Sequence, residues 1–397
     1  MRITVIGCGQ CGGRIADEFF RLNVKSRVQR GMEIATGIFA VNTDIADLSG
    51  LSRIKRDHQH RIVIGNQKTG GHGVGKINEL GAEIAREDGD KVIDALRTSE
   101  DFADTDAFLL VSSAAGGTGS GAIGILSQLM KERYVDKPVY NLIVLPFAHE
   151  EATESRTIYN TATCLKSSYL VADAVFLVDN QRYVRKSFSI GANLHKINRT
   201  VVEPFYDLLC AGEEQKPEFI GSKIVDAGDI IQTLAGWTVI GHSTVQIPRF
   251  GFTWPWGHAD KEADFHSKAS ETHRGIKALH GAISELSVKC NPTDARRGLY
   301  LLSAPSKEMN MDLLRSIGAI LKTTASEAVI RTGDYPRNTS SVGITLILSE
   351  LINVAKVMDY FTKALNYIYT TKNKREGIDL RHKSIEDAFQ DIPSLLK

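Results

Sequence analysis

The residues with the most chemistry in this 397-residue chain are the glycines and hydroxyls of Ser113-Ala-Ala-Gly-Gly-Thr-Gly-Ser-Gly121. They follow a buried-strand pattern, Ala107-Phe-Leu-Leu-Val111, and precede a helix pattern that begins near Ala122. A glycine puts no Cβ between main chain and ligand, so the amides of Ala114, Ala115, Gly116, Gly117 and Gly119 are expected to converge on an anion. Thr118 and Ser120 would add hydroxyl donors, and the following helix the positive end of its dipole. Gly117 is expected to approach phosphate too closely to tolerate a side chain. No Gly-Lys-Ser/Thr ending follows, so this is not a P-loop.

Further segments share this character. Gly7-Cys-Gly-Gln-Cys-Gly-Gly13 follows the first strand pattern, satisfies GxGxxG, and is joined by Asp44 at the end of the next strand pattern. Taken alone, these residues fit a dinucleotide-binding oxidoreductase that uses NAD(P). Cys8 and Cys11 also form a CxxC, the spacing of a redox pair or a metal half-site, but no second cysteine pair lies nearby to complete a zinc tetrahedron. Thr69-Gly-Gly-His-Gly-Val-Gly75 is another glycine-rich loop, with His72 inside it. Asp226 and Asp229 have the spacing of a helix cap and a first-turn acid.

In order and content these segments resemble the tubulin/FtsZ superfamily. Ala115–Gly121 matches the family's GGGTGSG phosphate loop at every position but Ala115. Gly9-Gln-Cys-Gly-Gly13 matches the tubulin-type GQCGxQ segment, which implies that Gly9, Gln10, Cys11 and Gly12 adjoin the nucleotide and that Gln10 helps hold phosphate and its magnesium. Asn42-Thr-Asp44 resembles a loop that approaches the phosphates, and Gly70, Gly71 and Gly73 belong to the loop that senses the γ-phosphate. Pro146-Phe-Ala-His-Glu150 resembles a loop whose glutamate, here Glu150, binds ribose hydroxyls. Asn180 and Asn198 fall where the family reads the guanine edge, with carboxamides that donate and accept. Leu194 stands where tubulins stack an aromatic residue on the base.

Ile224-Val-Asp-Ala-Gly-Asp-Ile-Ile-Gln-Thr-Leu234 is similar to the family's catalytic loop, with Asp226 and Asp229 on its acidic positions. In the family this loop meets the nucleotide of the next subunit, where its carboxylates align the attacking water. That stretch, together with Cys210-Ala-Gly-Glu-Glu214, most resembles the archaeal CetZ-type proteins. The resemblance implies a GTPase bound to GTP or GDP, with Mg²⁺ held mainly through phosphates and water rather than by a protein cage. It also implies a head-to-tail homopolymer serving cell division or cell shape, and a membrane adaptor or other cytoskeletal proteins as partners. A non-polymerising regulatory relative and the NAD(P)-dependent oxidoreductase are the alternatives.

The elements that must position these residues read as a doubly wound α/β parallel-sheet domain over 1–189, a long central helix and catalytic-loop connector over 190–226, and a smaller α+β domain over 227–397. In the first half, apolar runs such as Ile3–Ile6, Phe108–Val111 and Tyr140–Leu145 alternate with helical patterns, as in parallel strands covered on both faces. The central helix should run from Ile190 to about Gly212, with Pro204 kinking it or ending its first half. A last helix is expected over Leu351–Tyr369 and an amphipathic stretch over Ile385–Leu396.

Forty-eight basic and 47 acidic residues leave a net charge of +1, so no overall field favours nucleic acid or an anionic membrane. Five cysteines and no signal-like start point to a reducing cytoplasm. Runs such as Leu142–Phe147 fall far short of the roughly 20 apolar residues that insert in a bilayer.

Overall fold

The computed structural model describes residues 1–99, 101–184, 190–248, 261–372 and 389–396, with the backbone alone for 190–192, 261–270 and 371–372. Residues 385–388 of the expected amphipathic stretch, and the boundary expected at 189, lie outside the described residues.

The first half alternates strand and helix: β1 (Ile3–Cys8), α1 (Gly9–Arg30), β2 (Ala35–Asn42), α2 (Ile45–Ser49), β3 (Arg61–Val63), α3 (Asn66–Thr69), α4 (Asn78–Arg97), β4 (Ala107–Ser113), α5 (Thr118–Arg133), β5 (Val139–Leu145), α6 (Ala148–Thr153), α7 (Ser155–Val171) and β6 (Ala174–Asp179). β1 and β5 are buried along their whole length, which is why they read as unbroken apolar runs rather than alternating ones. The parallel order β3-β2-β1-β4-β5-β6 reverses direction between β1 and β4. At such a switch point the loops leaving adjacent strands diverge to opposite faces and open a crevice. The glycine-rich segments after β1 and β4 flank it.

The second half comprises α8 (Ile190–Ala211), α9 (Ala227–Thr233), β7 (Gly236–Gln246), α10 (Lys261–Ser284), β8 (Arg297–Ala304), α11 (Met311–Thr324), β9 (Val329–Pro336), β10 (Ser341–Ser349) and α12 (Ala355–Lys372). β7 pairs in parallel with β6 through Ala174–Gly236, Val175–Trp237 and Phe176–Thr238, so both halves share one ten-stranded sheet. β10 runs antiparallel to β7 and β8, and β8 runs parallel to β9.

The structure refines the sequence reading at three helices. α8 continues through Pro204 to Ala211, so the proline does not end it. Its apolar stripe, Ile197, Val201, Phe205, Leu208 and Leu209, is buried along its length, and that packing outweighs the lost hydrogen bond. α12 starts at Ala355, so Leu351 and Val354 are buried in the approach to the helix instead of within it. α10 had no clear apolar stripe to announce it. It packs through small residues, and a Cβ on Gly241 of β7 would come within 2.1 Å of the Ala282 carbonyl.

Candidate nucleotide site

A cavity of about 800 Å³ opens over the switch point. Gly9, Gln10, Cys11, Asn42, Asp44, Gly73, Ala115, Gly116, Gly117, Thr118, Gly119, Glu150, Asn180 and Asn198 line it, gathered from the segments that follow β1 to β6 and from α8. Five sequence-predicted residues lie behind or beside the wall. Gly12, in the first turn of α1, packs against β4, where a Cβ would meet the Val111 carbonyl at 2.1 Å. Ala114 is fully buried with its amide on Val144 O (2.9 Å). Gly71 takes a left-handed turn (φ +81°) against Ile45, next to Gly70 (φ +59°). Ser120 directs its hydroxyl to the carbonyls of Gly116 (2.5 Å) and Gly117 (3.3 Å), so it shapes the loop instead of offering a donor to a ligand.

Two helices aim their amino ends into this cavity. α1 starts at Gly9 and α5 at Thr118; neither has a side-chain cap or an acidic residue in its first turn. Their leading N–H groups and dipoles are therefore available to an anion. The glycines of the second loop divide the work. A Cβ on Gly116 would meet nothing within 4 Å, whereas one on Gly117 would lie 2.5 Å from Val74 Cγ2 and 2.9 Å from Lys76 Cα. Gly117 thus makes room for Val74 and Lys76, a packing reason for the intolerance of a side chain that the sequence led one to expect, while its backbone lines the cavity. Gly119 likewise makes room for the Cys8 carbonyl at 2.4 Å.

Residues that sequence reasoning missed hold this loop in place. Asn160 of α7 is buried and donates from Nδ2 to the carbonyls of Lys76 (2.9 Å), Ala115 (3.2 Å) and Gly116 (2.9 Å). Thr43 Oγ1 bonds Thr118 Oγ1 at 2.6 Å, tying the β2 loop to the β4 loop. Asp47 receives Gln10 Nε2 (2.5 Å) and Asn42 Nδ2 (3.1 Å). Arg14 and Lys76 also border the cavity. Only Arg14 was open to inference, one helical turn after Gln10. Asn160 carries no local signal, because it reaches the loop from a distant helix.

The acids on the wall are engaged: Asp44 caps α2 through Ala46 N (2.8 Å) and Asp47 N (3.1 Å), and Glu150 accepts from Phe147 N (2.9 Å). His72 bridges Asp44 through the backbone and does not border the cavity. Burial pushes the Cys8 and Cys11 thiols up to about 12, with the Glu150 carboxylate adding to the effect on Cys11. Both stay protonated at neutral pH, unlike a redox or metal CxxC. At the far end Asn198 is only 8% exposed, and its carboxamide has no protein partner among the described residues. A carboxamide on a cavity wall offers a donor and an acceptor to a ligand with a matching pair.

Residues 2–187 match the tubulin/FtsZ family GTPase domain, and residues 188–366 the C-terminal domain of tubulin-like CetZ. Tubulin-like protein CetZ1 of Haloferax volcanii is 32% identical over 371 residues, 90% of each chain. The chain belongs to the tubulin-like CetZ family. Its fold agrees: the GDP-bound monomer of Haloferax volcanii CetZ1 superposes with a TM-score of 0.77 at 29% identity, over 93% of this chain and all of that one. The GTPγS-bound protofilament of CetZ2 from the same organism gives 0.77 at 25% identity, over 94% and 100%. The protein is therefore a GTPase of the tubulin/FtsZ superfamily, and the oxidoreductase reading falls.

In this CetZ-type chain the acidic loop stands apart from the cavity. Asp226 and Asp229 do not line it; they follow the carboxyl end of α8, whereas Asn198 sits toward the amino end. A helix of α8's length spans about 33 Å. Asp226 caps α9 by accepting the Asp229 amide (2.8 Å), while the Asp229 carboxylate faces Arg331 Nε at 3.4 Å. Among the described residues no three His, Cys, Asp or Glu side chains converge as a metal cage. A second cavity, about 830 Å³, lies between α1, α8 and β7 and contains none of the predicted site residues. No described helix is long and apolar enough to cross a membrane.

Proposed function

We propose that the chain binds GTP in the switch-point cavity and assembles head to tail, each junction bringing Asp226 and Asp229 of one subunit to the nucleotide of the next. The observation that carries this reading is the separation of Asp226 and Asp229 from the cavity along α8, so that joining the two would take a second subunit. The GDP-bound CetZ1 monomer and the GTPγS-bound CetZ2 protofilament support the same reading. The two uncapped helix ends and the open side of Gly116 suit the phosphates, Glu150 the ribose, and Asn180 with unpartnered Asn198 the guanine edge. Leu194 on the wall supplies an apolar but not an aromatic face.

Mg²⁺ would sit on the phosphates near Gln10, where it offsets developing negative charge. Of the chain's own groups, Asp229 would accept the proton of the attacking water. Asp226 sets the turn that presents it, and Arg331 orients the Asp229 carboxylate. The filaments would serve cell shape or division, as the family resemblance implies.

The test is phosphate release against protein concentration. Specific activity should rise with concentration, and Asp229→Ala should bind GTP normally while losing turnover ~10²–10⁴-fold. Full activity in dilute, demonstrably monomeric protein would overturn the shared site. Wild-type turnover in both Asp226→Ala and Asp229→Ala would remove their catalytic role.

A further inference from the structure

Behind the nucleotide site, the segment Phe389–Leu396 lies in a groove between α4, α5, α7 and α12. Lys166 of α7 is 8% exposed and donates from Nζ to the carbonyls of Phe389 (2.5 Å), Gln390 (3.1 Å) and Ile392 (2.6 Å). The Leu395 amide donates to Ser167 Oγ (3.0 Å), and the Leu395 carbonyl accepts from Arg86 Nη2 (2.6 Å). Ile392 and Leu395 are buried, Leu396 rests over Gly124 of α5, and Phe389 meets Phe361 of α12 edge-on at 5.7 Å. Main-chain groups read by fixed side chains, with pockets for spaced apolar residues, are the parts of a peptide-binding groove. Residues 373–388 stand between α12 and this segment in the sequence.

The groove is also wired to the phosphate loop. Ser167 Oγ donates to Thr163 O (2.7 Å), Thr163 Oγ1 to Asn160 O (3.1 Å), and Asn160 Nδ2 to Gly116 O (2.9 Å). Asn78, which opens α4, donates to Thr163 Oγ1 at 2.8 Å. The peptide thus touches α5, which leads from the loop around Gly116, α4, which follows the loop around Gly73, and α7, which carries Asn160.

We infer that this groove is a peptide-binding site whose resident ligand is the chain's own Phe389–Leu396, and that its occupancy holds the phosphate loop in its nucleotide-binding form. The second half rests on the proposed nucleotide site; the first does not. In full-length Ile392→Ser/Leu395→Ser the segment should leave the groove. A fluorescein-labelled peptide of the sequence Phe389–Leu396 should then bind saturably, about tenfold more tightly than to the wild type, whose own segment competes. The variant's GDP affinity should fall about fivefold or more and recover when unlabelled peptide is added, but not when the peptide carries the two serines. Recovery by peptide separates coupling from simple damage to the fold. No saturable binding, or equal binding to variant and wild type, overturns the site; binding with no change in GDP affinity overturns the coupling. Lys166→Met gives a second reading that keeps every apolar contact: hydrogen exchange across 389–396 should quicken about tenfold, and unchanged exchange overturns the proposal.

Discussion

A side chain added at Gly116 enters the cavity, while one added at Gly117 enters the backbone of Lys76, so neighbouring glycines answer to different selection. Gly116→Val should fold with an unchanged melting temperature and lose GDP affinity about 30-fold or more, ~2 kcal/mol. Gly117→Val should instead lose about 1–3 kcal/mol of stability through overpacking, with any loss of binding following from that. Calorimetric titration beside thermal melts separates the two; a destabilised Gly116→Val with intact binding would reverse their roles. All the loop glycines read alike in the sequence because glycine signals close approach without saying by what. Gly116 admits open space, Gly119 a carbonyl and Gly12 a neighbouring strand.

Among the elements, α7 does the least visible work. It was legible as a helix, yet Asn160, which fixes three carbonyls of the phosphate-loop region, could be found only by folding the chain. Asn160→Leu keeps the volume and removes the donor. It should cost about 1–3 kcal/mol of stability and weaken nucleotide binding, because the loop carbonyls lose their buried partner. Urea unfolding with GDP titration checks this, and wild-type values in both would show that water replaces the amide without loss. α8 teaches the opposite lesson. Pro204 is a strong local breaker, and a buried apolar stripe carried the helix past it.

At the scale of the molecule, the sheet runs unbroken from β3 to β9, and α8 crosses it between the cavity and the acidic loop. His242 of β7 lies near α8, with its Nδ1 3.0 Å from Thr345 Oγ1. Burial lowers its pKa below the ordinary value of 6.5; the Asp207 and Glu203 carboxylates oppose this and Lys25 assists it. The unfolded chain therefore takes up this proton first. Stability from His242 is fully present above pH 6.5 and is lost as pH falls from there toward the lower folded value. Denaturant midpoints measured from pH 7.5 to 5 should fall less steeply in His242→Gln than in the wild type. Parallel slopes would show that other groups carry the acid sensitivity.

The sequence by itself determined the parallel sheet, the glycine-rich phosphate loops and the family, because each is written in local spacing: apolar runs, strand-turn-helix glycines, and acids three residues apart. Tertiary structure alone decided which glycines face the cavity and which face neighbouring backbone, that Asn160 and Thr43 brace the loop, and that β6 and β7 fuse the halves into one sheet. It also decided that Asp226 and Asp229 stand away from the cavity that their chain encloses. These are relations between residues far apart in sequence. Packing settles them through contacts that no local pattern encodes.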